Sequence, residues 1–120
     1  MKYKELTNSE LKFAELIWGN APIASMDLVR LSESEMGWKK STTFSMLKIL
    51  CEKGIVKHER PLVSVAMTKD EYLARHSRHY IEDTFGGSLS KFLTSFMGRD
   101  RLSDKQAEEL KRLIDEYKED

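Results

Sequence analysis

The stretch Trp38–Met67, WKKSTTFSMLKILCEKGIVKHERPLVSVAM, decides the fold. Ser41 or Lys40 begins a helix in which Thr43, Met46, Leu47 and Leu50 recur at helical spacing, and Gly54 supplies the left-handed stop. Beyond the stop, Ile55–His58 and Val63–Met67 are rich in β-branched residues, with clear alternation in the second and a turn at Glu59-Arg60-Pro61 between them. A polar, lysine-bearing helix that runs straight into a short antiparallel hairpin is the back half of a winged helix-turn-helix. The leading half of that helix carries Lys39, Lys40, Ser41, Thr42, Ser45 and Lys48, whose donors are suited to phosphates and base edges in a DNA major groove.

Upstream, the sequence supplies the two helices this fold requires. Thr7 with Glu10 forms a capping box, and Leu6 and Leu11 occupy the staple positions around it. Leu11, Ala14, Ile17 and Trp18 then make one apolar face, so a first helix is expected from Asn8 to Trp18, ended by Gly19-Asn20. After Pro22, Ser25 is expected to cap a second helix through Leu28, Val29 and Leu31 to about Glu33. The expected core is Leu11, Ile17, Trp18, Leu28, Leu31, Leu47, Leu50, Ile55, Val63 and Val65, and the winged domain is expected over residues 1–68.

Residues 69–120 carry no strand signal. Capping boxes at Thr68/Glu71 and Ser103/Gln106, with the intervening pattern, predict helices over 69–83, 88–97 and 104–118. Leu89, Phe92, Leu93, Phe96 and Met97 crowd one side of the middle helix, and Ala107, Leu110, Ile114 and Tyr117 line the last at intervals of three and four. Such faces require a partner. A second copy of the segment covers both with one self-complementary surface, whereas folding back on the winged domain is the single-chain alternative. The dimer seam is therefore assigned to Leu89, Phe92, Leu93, Phe96, Leu110, Ile114 and Tyr117. The whole is a mainly α protein, a winged helix followed by a helical dimerisation region.

The 120 residues suit one such domain plus an oligomerising extension, and no catalytic domain is expected. Its net charge of zero conceals an asymmetry: six basic residues face two acidic ones between Lys39 and Arg60, against ten basic and twelve acidic from Lys69 to Asp120. That pattern suits one face for a polyanion and another for itself. No apolar run approaches the roughly 20 residues that span a bilayer, and MKYKELTNSE lacks a signal-peptide core, so a cytoplasmic protein without direct membrane insertion is expected. The single Cys51 excludes an internal disulfide framework and reads as a small core residue. His76 and His79, three apart with Glu82 and Asp83 beyond, lack a third ligand at zinc spacing. Phosphate loops, nucleophile elbows and metalloprotease motifs are missing, so neither enzymatic activity nor a metal or cofactor is expected.

The order Trp38, Ser41-Thr42, Ser45, Met46-Leu47, Leu50 and Lys53-Gly54 resembles the recognition-helix signature of the penicillinase and methicillin-resistance repressor family, which includes copper-responsive members. Leu6-Thr7-x-x-Glu10 with Ile17-Trp18, and Leu102-Ser103 before an acidic amphipathic helix, extend the likeness over nearly the whole chain. The resemblance implies a homodimer on a palindromic operator of double-stranded DNA, blocking transcription until its dimerisation arm is cut or disrupted. It implies groove-facing roles for Thr42 and Ser45 and phosphate-proximal roles for Lys48 and Lys53.

With Lys39, Lys40, Ser41, Thr43 and the wing residue Arg60, these residues complete the expected DNA contacts. Phe44 and Ile49 depart from the family pattern, which has small, polar or basic residues there, and the wing is shorter. In beta-lactam-responsive members a sensor protease in the membrane triggers cleavage before a phenylalanine of the middle helix, which makes Ser95-Phe96 the matching position. Phe96 is equally placed to be a dimer-core residue. The copper-responsive members carry a cysteine-rich tail; no cysteine follows Cys51, so copper sensing by that device is not expected. Two other readings remain at this point: a winged-helix regulator with a small-molecule site beneath its helical arm, and a winged helix used for protein contacts through Phe44 and Ile49.

Overall fold

Thr7 sets the start of α1 (Asn8–Asn20). Its hydroxyl accepts the Glu10 N–H at 3.3 Å, while the Glu10 carboxylate accepts the Thr7 N–H at 3.0 Å, the reciprocal pairing expected of T-x-x-E. The computed structural model describes residues 4–119. α1 runs two residues beyond the expected end, because Gly19 remains helical and Asn20 donates its side-chain amide to the Leu16 carbonyl at 2.8 Å. Pro22 ends the helix instead, through the extended conformation of the residue before it, Ala21.

Two residues then form a strand that the sequence did not announce, β1 (Ile23–Ala24). α2 (Ser25–Met36) starts immediately after it, with Ala24 at the cap position. Ser25 is therefore not the cap. Its side chain is buried, and its hydroxyl and N–H both donate to the Pro61 carbonyl, at 3.1 and 2.7 Å. The helix also outlasts the expected Glu33, to be closed by Gly37 at φ 68°. Gly37 N–H bonds Glu33 O at 3.0 Å and Trp38 N–H bonds Ser32 O at 3.4 Å, a paired closure that an L side chain disfavours.

α3 (Lys40–Glu52) follows after three residues and also ends at a left-handed glycine, Gly54 at φ 78°, here with shorter-range bonds, Gly54 N–H on Cys51 O at 3.1 Å and Ile55 N–H on Leu50 O at 2.9 Å. β2 (Val56–Glu59) and β3 (Leu62–Val65) form the wing, paired antiparallel with His58 opposite Val63. β1 adds to the other edge of β3, giving the order β1-β3-β2.

The core is made by Phe13, Ala14, Ile17, Leu28, Leu47, Leu50, Ile55, Val56 and Val63. Leu11, Trp18, Leu31 and Val65, expected inside, are only half-buried. The buried stripe of α1 is Glu10, Phe13, Ala14 and Ile17, and Phe13 packs its ring against Trp38 at 5.1 Å. Trp18 lies at the edge because its Nε1 donates to the Met67 carbonyl at 2.9 Å.

α4 (Lys69–Phe85) begins at the expected Thr68/Glu71 capping box. The chain divides into two compact units, the first ending at His79 and the second beginning at Tyr80, rather than at Thr68. The later division has a local cause: Tyr72 is buried in the first unit, and its hydroxyl accepts the Leu6 N–H at 3.1 Å. The second unit contains the end of α4, α5 (Leu89–Met97) and α6 (Asp104–Tyr117). Tyr80, Phe85 and Phe92 meet edge-to-face at centroid separations of 5.7–6.3 Å. Ser88 and Ser103 cap α5 and α6, yet among the described residues neither helix buries a side chain fully.

Candidate nucleic-acid interface

The three-residue link Gly37-Trp38-Lys39 sets α3 behind α2 as the second helix of a helix-turn-helix. Thr43, Leu47 and Leu50 turn inward and are buried, which fixes the rotation of α3 about its axis. Lys39, Lys40, Ser41, Thr42, Ser45 and Lys48 are consequently exposed. Lys40 and Lys48 have no ion-pair partner among the described residues. Lys39 precedes the helix without a side-chain cap, so the first N–H groups of α3 add to the positive character of that end. Exposed hydroxyls, uncommitted ammonium groups and a helix N-terminus on one surface can bind phosphates and read base edges.

Two residues expected at this interface lie elsewhere. Thr43 is only 1% exposed and donates its hydroxyl to the Lys39 carbonyl at 3.2 Å, so it cannot approach a base edge. Lys53 is half-buried, with its Nζ held by the Glu10 carboxylate and by the Glu5 carbonyl at 2.8 Å, so its charge is already neutralised. Burial raises the Glu10 pKa, but the hydrogen bond from Lys53, the bonds from Thr7 and the Lys53 charge outweigh it and leave the carboxyl below its ordinary range.

Arg60 is exposed at the wing turn. Sequence reasoning missed Glu10 and Ser25 as the residues that fix the end of α3 and the wing turn. The capping box identified Glu10 as an N3 residue, but its partner is 43 positions away.

Phe44 and Ile49 do not form an exposed apolar surface. Both are half-buried, and Phe44 stacks on His58 of β2 at 6.1 Å, joining the recognition helix to the wing. The observation that favoured a protein-docking role for these two residues is thereby removed. Burial, assisted by the Arg60 charge, holds His58 below its usual pKa, and its Nε2 has no hydrogen-bond partner among the described residues. Burial likewise pushes the Cys51 thiol up, away from nucleophilic thiolate character. His76 stacks on Tyr72 at 5.8 Å, and among the described residues no three His, Cys, Asp or Glu side chains are grouped to hold a metal.

In the second unit Leu89, Phe96, Leu110, Ile114 and Tyr117 are exposed, Tyr117 at 81%. Phe92 and Leu93 are half-buried, and Phe92 also packs on Tyr80 and Phe85. Ser95 and Phe96 both lie exposed on α5. Among the described residues no helix is long and apolar enough to cross a membrane.

A hydroxyl- and lysine-bearing helix presented by a helix-turn-helix, with a hairpin behind it, defines a winged-helix DNA-binding protein. The chain belongs to the penicillinase repressor family, whose profile matches residues 6–116, and is on that ground a DNA-binding transcriptional repressor. Among its relatives is the penicillinase repressor of Bacillus licheniformis, 22% identical over 98% of this chain and 94% of that protein. The methicillin resistance regulatory protein MecI of Staphylococcus aureus is 19% identical over 94% of this chain and 95% of its own length.

Proposed function

We propose that this chain acts as a homodimer that places two copies of α3 in successive major grooves of a palindromic operator. The observation that carries the reading is the rotation of α3. Thr43, Leu47 and Leu50 are buried, while Lys40, Ser41, Thr42, Ser45 and Lys48 remain open along one side. In this reading Lys39, Lys40, Lys48 and Arg60 hold phosphates, and Ser41, Thr42 and Ser45 lie nearest the base edges. Dimerisation through α5 and α6 is supported by the apolar faces left open there, which a second copy would cover by isologous packing. The two recognition helices then stand about one helical turn of DNA apart, roughly 34 Å, or a multiple of it.

Release follows from the same arrangement. Cutting at Ser95-Phe96 would sever α6 from the rest of the chain, and a sensor protease in the membrane is the proposed agent. The dimer would lose a large part of its seam, and with it the linked second binding event that gives tight operator affinity.

Selection of bound duplexes from a random pool, followed by salt titration of the best sequence, tests the reading. An inverted repeat is expected, with log affinity falling against log salt by about 0.9 per phosphate neutralised. Recovery of no preferred sequence, together with a flat salt dependence, overturns it.

A further inference from the structure

The end of α3 is tied to the start of α1 by a pair of charges that the DNA reading leaves unused. Lys53 gives one N–H to Glu10 Oε1 and another to the Glu5 carbonyl at 2.8 Å. The two side chains are only 20% and 9% exposed, in contrast to the surface pair Arg30–Asp27 at 71% and 63%. The partner is itself held, because the same Oε1 accepts the Thr7 N–H at 3.0 Å. Glu10 therefore cannot follow a displaced Lys53 without giving up the cap of α1. A lysine with two of its three donors committed inside the protein is a poor phosphate ligand and a good fastener.

We propose that Lys53 is a positioning residue for DNA binding: its ammonium group pins the end of the recognition helix to the capping box of α1 and contacts no phosphate. The inference rests on the DNA-binding reading above and removes one cation from the interface. α3 is then fixed near both ends, by the Phe44–His58 stack toward its start and by Lys53–Glu10 beyond its last turn. Loss of the second fastener displaces every donor on the open face together. Affinity falls while the number of phosphates contacted stays the same.

Salt titration of the full chain on the selected duplex separates a positioning role from a contact. Lys48→Ala is expected to lower the log–log slope by about 0.9. Lys53→Met is expected to keep the wild-type slope while affinity at fixed salt falls about tenfold, equivalent to about 1.4 kcal/mol. Lys53→Arg should restore most of that loss. Glu10→Gln, which leaves every cation in place, should weaken binding in the same way, and the double variant Glu10→Gln/Lys53→Met should fall no further than Lys53→Met alone.

A slope lowered by about 0.9 in Lys53→Met, or unchanged affinity in Glu10→Gln, overturns the inference. If Lys53→Met fails to fold, the Lys53→Arg and Glu10→Gln titrations decide it by the same criteria. Absence of salt-dependent binding in the wild type would instead overturn the DNA reading, and this inference with it.

Discussion

Thr42 and Thr43 are neighbours in sequence and occupy opposite environments, so replacing each by valine separates the open side of α3 from its buried side. Thr43 is 1% exposed and its hydroxyl donates to the Lys39 carbonyl at 3.2 Å. That carbonyl also accepts the Thr43 N–H at 3.0 Å and so keeps a partner in the variant. Thr43→Val therefore removes one hydrogen bond, worth about 1 kcal/mol, and orphans nothing. The added methyl offsets part of that loss, and the melting temperature should move by no more than about 8 °C. Affinity and base preference should stay within about twofold, a window of about 0.4 kcal/mol, because the buried hydroxyl is out of reach of DNA.

Thr42→Val should do the reverse. The residue is exposed, so stability should change by less than about 0.5 kcal/mol. Discrimination between the selected duplex and random DNA should fall by about 1 kcal/mol, or roughly fivefold, for one lost base-edge contact. Thermal melts report the first quantity, and fluorescence anisotropy with competitor DNA reports the second. A changed base preference in Thr43→Val with none in Thr42→Val would refute the assigned rotation of α3.

Two further outcomes follow from the second unit and from Glu10. Leu110→Asp with Ile114→Asp places charge on the exposed apolar face of α6 that the proposed dimer would cover, and sedimentation should then show a monomer whose winged unit still melts cooperatively. Retention of a dimer would place the seam elsewhere. The Glu10 carboxyl is held below its ordinary pKa of 4.5 in the folded chain, so its contribution to stability is complete above that value and lost as pH falls through the folded pKa. The stability difference between wild type and Glu10→Gln should therefore be constant near neutral pH and shrink below about pH 4.5. A difference that grows on acidification would contradict the ion pair.

Helix starts were legible because capping boxes are local: Thr7/Glu10, Thr68/Glu71 and Ser103/Gln106 each close within four residues. The stop at Gly54 was legible for the same reason. Gly37 is left-handed too but lies in a polar stretch with no apolar period to show how far α2 runs. Ser25 resembled a cap because serine is a common one, and only the distant Pro61 carbonyl gives it another task. β1 has two residues, too few for any alternation.

Thr43 is the instructive residue of the interface. Its spacing of four and seven from Leu47 and Leu50 already put it on the apolar side, and its hydroxyl alone suggested otherwise. Lys53 could not be placed from sequence, since both of its acceptors lie more than 40 positions away.

The attachment of Ser25 to Pro61 bears on where this chain tolerates added length. Hairpin tips are ordinarily the most permissive places for insertion, because nothing but the turn itself must adjust. Here the tip carbonyl is gripped by two donors from the first residue of α2, next to the Ala24–Leu62 pairing. A graft between Arg60 and Leu62 would pull that grip open and loosen the entry to the helix-turn-helix. For this architecture a short wing is a tether, and lengthening it would require a new anchor first.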